Sequence, residues 1–385
     1  MAIDRRSVLA GAAAASALGG AGWARGQEAQ GQPLIGNPNL PEPAGNRMRW
    51  ALVGLGSFAV GQVIPGFLDA RKSRMTAFVS GNAAKARKLG ELFGVSRFYD
   101  YGNFDRIASD KDIDCVYIAL PVGLHAEYTI RALKAGKHVL VEKPMASTSQ
   151  ECAAMIAAAK SAQRQLGVAY RVHFEPNNAD VRDRIARGEL GAIRFISADH
   201  GFDANPAWAP HKWRLTKALG GGGSMFDIGI YGLNTSLMMV PGDEVVSVSA
   251  HDSTPAGDPR FTEVEGGIEW RLKMKSGISI AGSSSYCWQP YVSRQRYFGS
   301  RGSIEMQRAT TYYDNRILIE GGGGAPSEFT AGLPGTQFAA QVDAFSEAAR
   351  ANSPHRTPGE MGLRDIRLIE AMYSSAKAGG AAVFV

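Results

Sequence analysis

The sequence predicts an α/β fold in its first half and an α+β fold beyond it, on three observations. The apolar run Arg49-Trp50-Ala51-Leu52-Val53 leads straight into Gly54-Leu55-Gly56-Ser57-Phe58-Ala59 and then into helical sequence. Strand-like and helix-like segments alternate with short connections up to Tyr170, a pattern that specifies a parallel sheet covered on both faces. After Phe174 that alternation stops, and Ser-Gly turns divide strand candidates with no long helices between them. A chain of 385 residues is also too long for one ordinary core. The expected organisation is a leader over 1–26, an arm over 27–46, and domains over 47–170 and 171–385.

The leader places twin arginines, Arg5 and Arg6, before a small-residue run ending near Ala24. This pattern reads as a twin-arginine export signal, and hence a periplasmic destination. The run is too weakly apolar for a permanent membrane anchor. Residues 27–46 carry Pro33, Pro38, Pro41 and Pro43 without hydrophobic period, which predicts an extended arm. It is either a plain linker or a segment that wraps a cofactor or a neighbouring subunit.

The first domain opens with the strand ending at Val53. In the G-x-G-x-x-A turn, Gly54 permits a tight bend, Gly56 lets backbone approach a pyrophosphate, and Ala59 allows close helix packing. Ser57 and Phe58, at the start of the helix, join these glycines as expected cofactor contacts. Pro65 predicts a break between Val63 and Gly66. Met75 to Val79 reads as the second strand, followed by Ser80-Gly81-Asn82-Ala83-Ala84-Lys85 without an acid for a ribose diol. Ser80, Asn82 and Lys85 supply hydroxyl, amide and positive charge, so NADP is favoured over NAD. The competing reading is a serine-led turn that merely caps the next helix.

The third strand is read from Asp114 to Leu120, ending at Pro121, with a helix from His125 to Ala135 closed by Gly136. Lys137 to Met145 follows, with Val139 to Val141 as a fourth strand that stops at Glu142, Lys143 and Pro144. Ligands of open parallel sheets sit beyond the carboxyl ends of the strands, so Glu142 and Lys143 are expected at the cleft. A solvated loop lysine is the alternative. A helix from Ser149 to Ala162 and a strand from Leu166 to Tyr170 complete a Rossmann dinucleotide-binding domain.

In the second domain a helix near Asn178 to Arg187 precedes a strand from Ile193 to Ala198. Further strands are expected at Ile268 to Met274, Ile278 to Ser285 and Arg296 to Gly299, forming a large, open, mostly antiparallel sheet. Helices return at Phe338 to Arg350 and Gly362 to Lys377, after a glycine run at 321–324 that reads as a hairpin or loop. The chemistry of this domain is concentrated in Gly220 to Asn234. Ser224 is placed to start a helix. Asp227 and Tyr231, four apart, would share one helix face and meet a substrate hydroxyl together. Tyr231 serves as acid/base only if its pKa falls from about 10, a shift that the Lys143 ammonium would supply.

Composition narrows the function. Hydrophobic content of 45% and charged content of 20% describe a globular protein, and the net charge of +6 is scattered rather than clustered. No nucleic-acid partner is expected. The three cysteines, Cys115, Cys152 and Cys287, lack metal-ligand spacing and read as unpaired core residues or one disulfide. No metal is expected.

Together, VGLGSFAVGQVIPGF, VSGNAAKA, LHAEYTIRALKAGKHVLVEKPMA and KWRLTKALGGGGSMFDIGIYGLN resemble the family of glucose-fructose oxidoreductases, inositol dehydrogenases and rhizopine-catabolism proteins. Within it the chain looks most similar to the periplasmic glucose-fructose or aldose-aldose branch. The resemblance implies Lys143 at the nicotinamide and reacting carbon, Tyr231 as acid/base and Asp227 beside it. It implies that Ser80, Lys85 and Tyr101 surround the adenosine phosphate, and Gly81, Asn82, Leu120, Pro121, His125 and Glu142 are expected among the other cofactor contacts. Arg171, Trp213 and Arg214 would line the cofactor or sugar cleft, and the second-domain sheet would build a homodimer or homotetramer. The segment from His200 to His211 departs from the family pattern, where sugar choice would be set. The implied activity is oxidation of an aldose at C1 to the aldonolactone and reduction of a second sugar, on tightly bound NADP. An ordinary NAD(P)-dependent dehydrogenase of a sugar, inositol or dihydrodiol, and a non-catalytic sugar- or nucleotide-binding scaffold, are the rival readings.

Overall fold

The computed structural model describes residues 41–321 and 324–385. The segment expected to be an export signal and most of the expected arm lie outside the described residues. The first sheet contains β1 (Met48–Val53), β2 (Ser73–Val79), β3 (Arg97–Tyr99), β4 (Cys115–Ile118), β5 (His138–Glu142) and β6 (Leu166–Ala169). All pairs are parallel, in the order β3-β2-β1-β4-β5-β6. This is the doubly wound order, with its crevice where the direction of winding reverses between β1 and β4. Trp50, Leu52, Val116, Tyr117, Val139 and Leu140 are fully buried, as strands covered on both faces require.

The covering helices include α1 (Ile64–Asp69), α2 (Ala83–Phe93), α3 (His125–Lys134) and α4 (Ser149–Ala162). The break expected at Pro65 takes the form of a change from a π-turn over Ala59–Val63 to α1, with Pro65 in the first turn of the latter. The short edge strand β3 is an addition to the expected set. Its three residues are too few to show a period.

After α5 (Pro176–Ala186) the chain builds a second sheet. Its strands are β7 (Ile193–Asp203), β8 (Val245–Asp252), β9 (Gly267–Met274), β10 (Ser279–Ser285), β11 (Cys287–Gly299), β12 (Gly302–Gln307), β13 (Arg316–Gly321), β14 (Gly324–Phe329) and β15 (Val383–Phe384). They run in the order β14-β13-β12-β11-β7-β10-β9-β8-β15. The sheet is antiparallel except for the β7–β10 pair. On β9, Ile268, Trp270, Leu272 and Met274 are buried while Glu269, Arg271 and Lys273 are exposed. One face therefore packs on helices and the other is open. β13 and β14 pair across the glycine run, the expected hairpin.

Three helices connect the two sheets to the site: α6 (Ile230–Met238), α7 (Gln337–Ala351) and α8 (Gly359–Lys377). Helix α7, from the second half of the chain, packs on the first sheet. Trp50 donates its indole N–H to Ser346 Oγ at 3.1 Å and lies 5.4 Å from the Phe345 ring. The Asp343 carboxylate accepts the backbone N–H groups of Arg71 and Lys72 at 2.7 and 2.9 Å. Cys115 and Cys152 are buried free thiols, and the free thiol of Cys287 is only half-buried.

Candidate active site

The cofactor cradle starts at the end of β1. Gly54 has a φ of +89°, and a Cβ there would stand 2.4 Å from the Ala119 carbonyl oxygen and 3.0 Å from Leu120 Cδ2. Only glycine lets the chain turn beneath the end of β4. Gly56 faces open space, and both it and Ser57 are exposed. Phe58 is half-buried against Tyr312 and Phe338 of the second half of the chain.

At the end of β2, Ser80 Oγ accepts the Asn82 N–H at 3.1 Å, and Asn82 Oδ1 caps α2 by accepting the Lys85 N–H at 2.9 Å. The capping alternative is therefore realised for Asn82. Lys85 Nζ donates to the Leu55 carbonyl, tying this turn to the glycine loop. The Tyr101 ring would stand 3.2 Å from a Cβ on Gly81, so glycine leaves room for the aromatic wall there. Open glycine backbone, no acid after β2 and a flanking ring fit a nicotinamide dinucleotide.

His125, expected among the cofactor contacts, follows the end of β4. It is buried, with Nδ1 2.8 Å from the Pro144 carbonyl and Nε2 2.8 Å from the Leu120 carbonyl. Burial lowers its pKa. His125 braces the segments that follow β4 and β5.

β5 delivers Glu142 and Lys143 to the end of the sheet. Glu142 is buried and accepts the Tyr117 hydroxyl at 2.6 Å. Burial raises its pKa against the opposing pull of Tyr117 and Lys143. Lys143 Nζ donates to the Asp227 carbonyl at 2.5 Å, lies 3.6 Å from the Asp227 carboxylate, and stands 4.4 Å from the centre of the Tyr231 ring. The ammonium from the first domain and the phenol from the second thus meet.

Asp227 lies in a π-turn over Met225–Gly229, directly before α6. The wider turn alters the phase that ordinary helix spacing assumes. Its carboxylate accepts Arg214 Nε at 2.7 Å, and the buried Tyr286 hydroxyl turns towards it without closing a well-formed hydrogen bond. Burial alone would raise the Asp227 pKa, but Arg214 and Lys143 hold it down at about 2. Such a carboxylate is a hydroxyl acceptor and a poor base. Ser224 does not cap this segment, because its hydroxyl faces Ser284. Glu265 does so instead, accepting the N–H groups of Gly223 and Met225 at 2.8 and 2.9 Å. Trp213 is half-buried beneath the Arg214 guanidinium, 4.5 Å from its ring.

Tyr231 also departs from expectation. Burial pushes its pKa up to about 12, and Arg171 is the leading cation opposing that rise. Arg171 is buried just past β6, 4.9 Å from the Tyr231 ring, and donates to Gln337 Oε1 and the Thr310 carbonyl at 2.6 Å each. Sequence reasoning missed these anchors, and also His200. His200 is fully buried on β7, stacks on Tyr231 at 6.5 Å and 22°, and has no hydrogen-bond partner at either ring nitrogen. Burial first, then Lys143 and Arg171, lowers its pKa to about 3. A protonated phenol between two cations is arranged for proton exchange with a substrate oxygen.

Residues 48–170 match the oxidoreductase family with an NAD-binding Rossmann fold, and residues 178–305 match the GFO/IDH/MocA C-terminal domain. The chain belongs to the GFO/IDH/MocA oxidoreductase family. Among solved structures it is similar to aldose-aldose oxidoreductase from Caulobacter crescentus, at 39% identity and a TM-score of 0.84, over 88% of this chain and 100% of that one. Among relatives of known name it is 30% identical to a dTDP-3,4-didehydro-2,6-dideoxy-alpha-D-glucose 3-reductase of Streptomyces violaceoruber, over 86% of this chain and 95% of the relative. It is 26% identical to D-xylose 1-dehydrogenase [NADP(+)] of Haloarcula marismortui, over 86% and 92%. The fold and this membership make the chain a sugar oxidoreductase with an NAD(P)-binding domain.

Proposed function

We propose that the protein keeps NADP tightly bound while it oxidises an aldose at C1 to the aldonolactone and reduces a second sugar, a ketose or an aldose, to the alditol. The observation that carries this reading is the convergence of Lys143, Arg171 and Tyr231 just past the carboxyl ends of β5 and β6. Similarity to an aldose-aldose oxidoreductase supports the paired half-reactions. The twin-arginine pattern supports a periplasmic site of action, where free NADP is not expected. Ser80 and Lys85, with no acid nearby, support NADP over NAD.

Bound NADP supplies the hydride acceptor in the first half-reaction and the donor in the second. In the oxidation C1 gives up a hydride and its hydroxyl gives a proton to the Tyr231 oxygen. In the reduction the carbonyl oxygen of the second sugar takes that proton back. Lys143 orients the reacting oxygen, and Lys143 and Arg171 stabilise the phenolate while the proton is away. Asp227, fixed by Arg214, accepts a neighbouring sugar hydroxyl. The open face of the second sheet is proposed as the surface of a homodimer or homotetramer, which light scattering after gel filtration would size.

The D-xylose 1-dehydrogenase [NADP(+)] relative favours a second reading, an ordinary dehydrogenase that exchanges free cofactor. Single-turnover spectroscopy separates the two. The closed cycle requires protein purified without added nucleotide to be reduced by one sugar and reoxidised by another; the rival requires added NADP.

A further inference from the structure

The segment that departs from the family pattern forms an ordered aromatic corner beside the reacting groups. Phe202, near the end of β7, packs against Val172, Ile228 and Tyr231 on one side and lies 5.1 Å from the His211 ring on the other. His211 stands 4.3 Å from Trp208, edge to face. Trp208 is 55% exposed, an unusual state for so large an apolar side chain next to a polar cleft.

The corner is held by its own bonds. The Asn205 N–H donates to His211 Nδ1 at 3.0 Å, and Asn205 Oδ1 accepts the Ala207 N–H at 2.9 Å. Arg260 fixes the base of the segment through Asp203 at 2.8 Å and the Ala204 carbonyl at 3.2 Å. Because Nδ1 accepts, a neutral His211 carries its proton on Nε2 and is a donor there. Burial and the Arg214 charge lower the His211 pKa, which keeps the ring neutral near pH 7, and Asp227 lies within its electrostatic reach.

A largely exposed indole next to a neutral N–H donor matches a pyranose, which presents an apolar C–H face and a rim of hydroxyl oxygens. We propose that Trp208 and His211 form the subsite for the sugar ring away from the reacting carbon. Trp208 stacks on the ring face and His211 Nε2–H donates to a ring hydroxyl. This inference rests on the sugar oxidoreductase reading and adds a ring-recognising element to it.

The test uses Trp208→Ala, His211→Ala and His211→Gln in the full-length holoenzyme, with glucose and with glyceraldehyde, which has no pyranose ring. The expected result for both alanine variants is a glucose KM raised about tenfold. kcat, bound NADP and the glyceraldehyde KM should be unchanged, and His211→Gln should regain much of the loss. An unchanged glucose KM, or an equal loss with glyceraldehyde, overturns the subsite while leaving the sugar oxidoreductase reading intact. If wild-type protein turns over neither aldose, that reading fails. Glucose binding by calorimetry then decides the subsite, since equal affinity in wild type and Trp208→Ala overturns it and a loss in the variant supports it.

Discussion

The Lys143 ammonium stands 4.4 Å from the centre of the Tyr231 ring, although one side chain comes from the end of a parallel strand and the other from a helix of the second half of the chain. This contact joins the cofactor cradle to the proton-transfer group. Tyr231→Phe removes the proton carrier and little volume. It should lower kcat by about a hundredfold to ten-thousandfold, with bound NADP retained. Steady-state assays and cofactor release on denaturation check both halves, and wild-type turnover in the variant contradicts the role.

The second prediction concerns pH. With its pKa raised to about 12, Tyr231 is protonated at neutral pH. The reduction half-reaction should be flat from about pH 6 to 9 and fall only as the phenol ionises above that range. The oxidation half-reaction should rise with pH over the same interval, because the acceptor form becomes populated. Single-turnover rates in each direction test the pair; a reduction rate that titrates near neutrality would show that a different group carries the proton.

Much of this arrangement is written locally in the sequence. α4 starts at the expected Ser149, where Thr148 and Glu151 form a reciprocal capping box, and the turn after β1 takes the tight bend expected of Gly54. β11 begins at Cys287, well before the expected Arg296, since Gln289 and Pro290 look like a strand breaker. The Arg171 contacts with Thr310 and Gln337 join segments far apart in the chain, and no local pattern encodes them. The Tyr231 pKa was misjudged for a related reason. Residue types reveal the nearby cation, but burial, which dominates, is a property of the packed structure.

Gly54→Ala places a Cβ 2.4 Å from the Ala119 carbonyl oxygen at a φ of +89°. The variant should lose about 1–3 kcal/mol of stability and bind NADP more weakly, measured by denaturant titration and fluorescence quenching. Gly56→Ala, facing open space, should keep its stability and lose cofactor affinity alone. Equal stability for both variants contradicts the packing argument.

Ser80→Asp puts a carboxylate where a ribose hydroxyl is preferred over a 2′-phosphate. Affinity should shift from NADP towards NAD by at least about tenfold in the ratio. Calorimetric titration of cofactor-stripped protein with each dinucleotide measures this. An unchanged ratio would place the 2′-phosphate away from the end of β2.

Acid stability follows from buried histidines. Burial lowers the pKa of His138, His173 and His355 to about 4 and that of His200 to about 3. Each folded value is depressed, so the unfolded chain binds more protons once pH falls below about 6.5. The stabilisation is present above that value and is lost as pH falls towards 4. Thermal melts between pH 7 and 4 should show a steady decline in Tm; a constant Tm contradicts the assignment of neutral buried imidazoles.

The central claim, a bound NADP that cycles between two sugars, is tested most directly by the near-ultraviolet spectrum of protein purified without added nucleotide. A band of reduced nicotinamide that appears with glucose and disappears with a second sugar or with gluconolactone, and whose released cofactor has the mass of NADP, is the predicted result. Protein that carries no dinucleotide and turns over only when NAD or NADP is supplied would contradict it.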